Sequence, residues 1–332
     1  MIKLPELKIG NIKLKNSLML APMAGITDMP LRELAVEGGA GLVFTEMISA
    51  TALSYGDRKT LKLLQTSDKE KDMVGAQIFG NSPSVMSESA KKIQDLGYNI
   101  IDINLGCPAK KIAKAGAGAK LLESPNNIES ILSSVVKAVS VPVTAKIRIG
   151  LFKGQNIAPE IIEIAQNSGI KMVSVHARPA ENGHSGPPDL KAFEEAAANA
   201  EIPVIANGGI IDIKSAEKFL KIPKCGGLMI GRGAIGDYDL FKRIEWFFDK
   251  NDVLPHPDIN TKIKWFKKHI LASIDFYGEE KGIVVLRKIA PYYIKDIPNA
   301  CQIRDRFNKI TTLKDFNILM DNIMQFSNST NF

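Results

Sequence analysis

Thiols are scarce in this chain: Cys107, Cys225 and Cys301 are the three cysteines among 332 residues. An odd number with no CxxC spacing excludes a disulfide framework and offers no zinc cluster, so no metal is expected and any cysteine that matters does so singly. Long apolar runs are missing too. None reaches the roughly 18 residues that cross a bilayer, and the opening MIKLPELKIG lacks the apolar stretch of a signal peptide. No membrane partner and a cytoplasmic location are therefore expected. No GxGxxG opens a first helix, which weighs against a doubly wound dinucleotide fold. With 45% hydrophobic and 24% charged residues, the composition is that of a globular protein rather than a disordered one.

What is present is a rhythm. Eight short strand-like runs recur at 18–21, 41–45, 74–79, 100–105, 141–146, 172–176, 203–206 and 227–230. Between them lie segments of helical pattern. Ser82-Pro83 and Ser124-Pro125 each place a capping hydroxyl before a proline suited to a first helical turn, and Gly97 closes the first of these helices. Ile128, Ile131, Leu132, Val135 and Val139 repeat at helical spacing, so one face of that helix should lie on a sheet. Eight strands alternating with helices predict an α/β fold, a (β/α)8 TIM barrel over residues 1–245. Trp246 to Asn260 contains two prolines and reads as a linker, and 261–332 reads as a small C-terminal helical domain. Between Lys262 and Lys309 eleven lysines and arginines stand against five acids, most of the formal net charge of +7, which favours a polyanionic partner.

In such barrels the chemistry sits just beyond the C-terminal strand ends. These ends read APMAG (21–25), TEM (45–47), AQIFG (76–80), NLGCP (104–108), KIRIG (146–150), VHAR (175–178), ANGGI (206–210) and IGRGA (230–234). The last two are glycine-rich loops where barrels build phosphate sites from backbone N–H groups, and Arg232 adds a charge, so a phosphate-bearing ligand is expected. Lys146 either meets an anionic ligand, snorkels to solvent or pairs with an acid such as Glu46. His176 is a ligand contact or a satisfied histidine, and Gln77 a donor to a ring carbonyl or part of a polar layer. Cys107 is a buried small hydrophobe, a residual metal ligand or an accessible thiol that exchanges a proton with substrate.

Taken together, APMAG, QIFG, DINLGCP with AKK and GAGAKLL behind it, KIRIG, NGG and GRG resemble the tRNA-dihydrouridine synthases, and the tail segment 287–308 is similar to that of the bacterial B-type members. The resemblance implies an FMN-dependent enzyme that uses NADPH, or NADH, to reduce the C5–C6 double bond of particular uridines in tRNA. By that resemblance Pro22, Met23 and Ala24 line the isoalloxazine, and Gln77, Lys146 and His176 contact its edge or ribityl chain. Asn207, Gly208, Gly209, Gly231 and Arg232 hold the phosphate. Cys107 is the general acid that protonates C5 while hydride reaches C6, and Asn104 orients the uracil. Lys110, Lys111, Arg148, Arg178, Arg287 and Lys288 would contact the substrate RNA, the 261–332 region would bind tRNA, and a monomer is expected.

The chain departs from the family pattern after the sixth strand. The usual His-Gly-Arg-Thr followed by a tyrosine and an aspartate-tryptophan pair is replaced by HARPAENGHSGPPDL, 176–190. There His184 is a contact or plain loop. Two other readings compete: an FMN barrel acting on a free pyrimidine such as dihydroorotate, and a non-catalytic RNA-binding or regulatory barrel. The basic tail and the Asn104/Cys107 pairing tell against the first, and retention of the flavin-site residue types against the second.

Overall fold

The computed structural model describes residues 2–295, 297 and 299–329. Met1, Asp296, Pro298 and residues 330–332 lie outside it, so the outer edges of the two expected domains and two positions of the 287–308 tail segment are not covered.

All eight expected strands form: β1 (Leu18–Leu20), β2 (Val43–Phe44), β3 (Val74–Phe79), β4 (Ile101–Leu105), β5 (Val143–Arg148), β6 (Val173–His176), β7 (Val204–Asn207) and β8 (Cys225–Ile230). They pair in parallel from β2 through β3 and onward to β8, and β8 pairs with β1. A bridge from Met19 to Leu42 then closes β1 on the approach to β2, giving a TIM barrel.

Strand periodicity decides what this barrel holds. Ile101, Ile103 and Leu105 of β4 and Val143, Ala145 and Ile147 of β5 face outward into the layer of surrounding helices. The alternate positions, Asp102, Asn104, Thr144, Lys146 and Arg148, therefore face the barrel axis. At the N-terminal end the axis is apolar: Met19, Phe44, Ile100, Met172, Ile205 and Met229 form one cluster with Leu7, Ile9 and Leu14. Ile9 lies in a two-stranded antiparallel hairpin, Lys8–Ile9 with Ile12–Lys13, so this hairpin plugs the barrel floor. Polar side chains are thereby confined to the C-terminal half.

The helices bear out the expected periodicity with two corrections. Pro83–Asp95 and Pro125–Ala138 both begin at their prolines, but neither Ser82 nor Ser124 makes the capping hydrogen bond. Ser82 Oγ lies instead 3.1 Å from Ser84 Oγ. Ile128, Ile131, Leu132 and Val135 are buried as expected, whereas Val139 lies beyond the helix in extended backbone.

The 246–260 stretch is not all linker. Trp246–Lys250 completes the helix Leu240–Lys250, which ends where Asn251 adopts a left-handed conformation (φ 52°), and the prolines come afterwards. The amphipathic pattern of that helix, with Leu240, Phe241, Ile244 and Phe248 buried, outlasts the point where the strand rhythm stops.

The tail opens with a long helix, Ile259–Tyr277, capped by Asp258 and packed on the barrel helix Met29–Glu37. Polar ties join the two regions. Tyr277 donates to Asp28 (3.0 Å) and Trp265 to Asp239 (3.0 Å), and His269 Nδ1 lies 2.8 Å from the Tyr293 hydroxyl, itself 2.9 Å from that of Tyr238. Among the described residues no helix is long and apolar enough to cross a membrane.

Candidate active site

At the C-terminal strand ends lies a cavity of about 480 Å³. A larger hollow, about 580 Å³, opens at the opposite end between the N-terminal segment and the helix Leu240–Lys250, but none of the expected site residues lines it. The cavity at the strand ends is the candidate site because it gathers the chemistry. Pro22, Met23, Ala24, Asn104, Cys107, Lys146, Arg148, His176, Arg178, Asn207, Gly208, Gly209, Gly231 and Arg232 all line it.

One flank is built of glycine loops. Gly208 (φ +113°) packs so tightly on His176 that a Cβ there would stand 2.7 Å from the imidazole, so this position requires glycine. The N–H groups of Gly208 and Gly209 have no hydrogen-bond partner among the described residues. Gly233 touches the same turn, where an added Cβ would meet the Ile210 carbonyl at 2.2 Å. Unpaired amides, close backbones and a nearby guanidinium fit a phosphate.

The site is strongly cationic. Burial, then the charge of Arg148, pushes the Lys146 ammonium down to about 8, against the opposing pull of Asp102 and Cys107. Lys146 donates to Asn207 Oδ1 at 2.9 Å, and Asn207 in turn donates to the Met229 carbonyl. Lys146 is half-buried, and its side-chain partner is Asn207 rather than Glu46, whose carboxylate accepts from the Gly25 amide. Burial, then the surrounding cations, holds His176 well below its ordinary value and His184 down to about 4, so both rings are neutral at pH 7. The same crowding lowers Arg148 to about 10, burial being the main cause and Cys107 opposing it. An anionic ligand relieves such crowding.

Three arginines serve the divergent loop. Arg148, 2% exposed, donates to the carbonyls of Gly106 (2.8 Å), Pro179 (3.1 Å) and Gly183 (2.8 Å). Arg178 donates to Gly186 O (2.9 Å) and contacts His176 (3.2 Å), while Arg232 donates to His184 O (3.1 Å). Together they fold the loop over the cavity edge, where the His184 ring stacks on His176 with centroids 5.9 Å apart. His184 is therefore part of the cavity wall.

Cys107 stands beyond β4 with its amide and that of Gly106 both donating to Asn104 Oδ1 (3.0 and 3.2 Å). Its carbonyl accepts from Ala119 (3.0 Å). Gly118 (φ +63°) makes this possible, since a Cβ there would lie 2.6 Å from the Cys107 carbonyl oxygen. The GAGA turn thus backs the cysteine loop and does not cover the cavity.

The remaining expected contacts lie outside the cavity lining. Gln77 is 1% exposed and does not face the cavity; its amide is consumed by Asp102 (2.7 Å) and Asn104 (2.8 Å). Lys110 and Lys111 are exposed on the short helix Lys110–Lys114 that follows the cysteine, with no ion pair among the described residues. Lys288 is exposed and reaches the barrel mouth, about 3.1 Å from where a Cβ on Gly25 would stand. Arg287 is half-buried and turned into the tail, donating to Ile310 O (3.2 Å), away from the cavity. Sequence reasoning missed Asp102 and left His184 open. Parity along β4 was the available signal for the first, since Asp102 shares the inward face with Asn104.

Comparison with known proteins agrees with this geometry. The family model described as dihydrouridine synthase (Dus) matches residues 19–330. A probable tRNA-dihydrouridine synthase of Rickettsia bellii is 35% identical over 323 residues, 97% of this chain and 98% of the relative. tRNA-dihydrouridine synthase B of Proteus vulgaris is 38% identical over 304 residues, covering 92% and 94%. Among solved structures, a variant of NCR from Zymomonas mobilis superposes with a TM-score of 0.52 at 17% identity, covering 79% of this chain and 96% of that one, a likeness of fold alone. With barrel, cavity and full-length relatives in agreement, the chain belongs to the dihydrouridine synthase family of enzymes.

Proposed function

We propose that this protein reduces the C5–C6 double bond of specific uridines in tRNA, using FMN held in the strand-end cavity and NADPH or NADH as reductant. The observation that carries the reading is the convergence, in one cationic cavity, of a thiol at Cys107, unpaired glycine amides and Lys146. When bound, the flavin supplies the hydride delivered to uridine C6 and is recharged by the nicotinamide.

The chain's own groups do the rest. Gly208, Gly209, Gly231 and Arg232 hold the phosphate, Met23 and its neighbours bound the ring space, and Lys146, with His176 neutral beside it, lines the middle of the cavity. Cys107 gives its proton to C5. Lys146 and Arg148 line the same cavity and couple electrostatically with the sulfur. A uracil stacked in an RNA helix cannot reach this depth, so the nucleotide enters flipped or already unpaired. Lys110, Lys111 and Lys288 border the mouth as contacts for RNA phosphate, and the helical tail over 261–332 is the tRNA-binding region.

The test is anaerobic. The reduced holoenzyme mixed with unmodified tRNA is expected to reoxidise its flavin faster than in buffer and to leave dihydrouridine in the RNA; no acceleration refutes the reading. Cys107→Ala is expected to keep FMN binding and NADPH oxidation while slowing uridine reduction by about a hundredfold or more. Equal loss in both half-reactions removes Cys107 from the proton-donor role.

A further inference from the structure

Beneath the cavity, on the axis of the barrel, lies a carboxylate to which the reaction gives no task. Asp102 is fully buried, one inward position below Asn104 on the same strand, and burial pushes it up to about 6 despite the hydrogen bonds that oppose the shift. Its two oxygens are both engaged: Oδ1 accepts from the Thr144 hydroxyl at 2.6 Å and Oδ2 from Gln77 Nε2 at 2.7 Å.

From there a single chain of hydrogen bonds runs upward. Gln77 Oε1 accepts from Asn104 Nδ2 at 2.8 Å, and Asn104 Oδ1 accepts from the amides of Gly106 and Cys107. An amide side chain can turn end for end at little steric cost, so the direction of such a chain is set by its termini. An ionised carboxylate only accepts, which forces Gln77 to donate downward and present its oxygen to Asn104. Asn104 must then present its own oxygen to the cysteine loop. The carbonyl side of that loop is held by Arg148 and Ala119, but its two amides share one side-chain acceptor, Asn104 Oδ1.

We propose that Asp102 is a positioning residue for the Cys107 thiol, acting through Gln77 and Asn104, a role that rests on the reading of Cys107 as proton donor. Remove the acceptor at the bottom and Gln77 keeps a buried donor with no partner, which it can satisfy only by turning and driving one NH2 group against another. Asn104 then loses its fixed rotamer, and the loop amides lose their acceptor.

Two substitutions separate acceptor from bulk. Asp102→Asn can still accept from Gln77 through its oxygen while its NH2 group donates to the Thr144 hydroxyl. Asp102→Leu has similar size and accepts nothing. In the flavin-loaded protein, iodoacetamide modification of Cys107, read by peptide mass spectrometry, is expected to quicken about tenfold in Asp102→Leu as the loop loosens and to stay within about threefold of wild type in Asp102→Asn. The kcat for uridine reduction is expected to fall on the order of a hundredfold in the leucine variant, with KM for tRNA within about twofold and flavin reduction by NADPH unchanged.

Modification at the wild-type rate in Asp102→Leu overturns the proposal, as does an asparagine variant that falls as far as leucine, since charge rather than acceptance would then be the property at work. Should Asp102→Leu fail to fold, Gln77→Met cuts the next link and leaves the Asp102–Thr144 pair in place. It must show the same quickened modification of Cys107, and wild-type modification there refutes the relay. Wild-type protein that reduces no uridine defeats the functional reading alone, because the modification rates still decide what Asp102 holds.

Discussion

Lys146 shows how far a single residue's surroundings can tune its task. Its ammonium is lowered to about 8 from 10.5, with burial as the first cause. In the apoprotein the unfolded chain holds that proton more tightly than the folded one, so stability rises with pH across the window from about 8 to 10.5. An anion seated against Lys146 draws its pKa back up. FMN binding near pH 8 is therefore expected to take up protons, seen as a buffer-dependent enthalpy in calorimetric titrations, and affinity is expected to weaken as pH rises beyond 8. Lys146→Met should abolish the uptake; an unchanged uptake places the proton on another group. The residue type was legible in the sequence, since a lysine ending a strand invites an anion, but its partner was not. Asn207 comes from two strands away, and the register that sets the two within 2.9 Å exists only once the barrel is closed.

Among the elements, the strands were the most legible and the 179–190 loop the least. Each strand declares itself through local apolar content, and its parity assigns Asn104, Lys146, Arg148, His176 and Asn207 to the inward side at once. The loop has no regular pattern to read. Its shape is imposed by Arg148, Arg178 and Arg232, whose guanidiniums gather the carbonyls of Pro179, Gly183, His184 and Gly186. Arg148 also grips Gly106, so one buried side chain binds the divergent loop to the cysteine loop. Arg148→Met is expected to cost about 1.5–3 kcal/mol in urea unfolding and to speed hydrogen exchange over residues 180–186 while the barrel strands stay protected. Unchanged exchange in that segment would mean the loop holds its shape without the arginine. Arg148, expected from the resemblance as an RNA contact, is committed to backbone in this structure, and Arg287 likewise turns inward to Ile310.

For the whole molecule the question is which of the basic residues are free to meet RNA. Composition places the excess charge in the tail, yet several of its lysines are already spent: Lys267 pairs with Asp321 at 3.0 Å, and Lys268 pairs with Glu37 and lies 5.2 Å from the Trp265 ring centroid. The first pairing joins two helices of the tail, and the second ties the tail to the barrel helix Met29–Glu37. Lys110, Lys111, Lys114 and Lys288, by contrast, are exposed near the mouth and make no salt bridge among the described residues. Neutralising these four with glutamine is expected to flatten the dependence of log K for tRNA on log salt by about 0.7–0.9 for each RNA phosphate that no longer meets a lysine. The pair Lys267→Gln and Lys268→Gln should leave that slope unchanged. Binding titrations over a range of salt concentrations check both, and a reversed pattern would move the RNA track onto the long tail helix.

The sequence alone determined the number and order of the strands, the inward parity of the site residues and the glycine loops at one flank of the strand-end cavity. Each of these depends on neighbours along the chain: hydrophobic period, a proline at a helix start, a glycine where the backbone must pass close to another atom. Tertiary structure alone decided which inward groups meet. Asp102, Gln77, Asn104 and Cys107 became one hydrogen-bonded line, Arg148 and Arg178 were spent on a loop that Arg232 touches through one nitrogen, and only some of the lysines stayed open to solvent. Those outcomes depend on distances between strands, loops and tail that are far apart in sequence, and local pattern carries no measure of them.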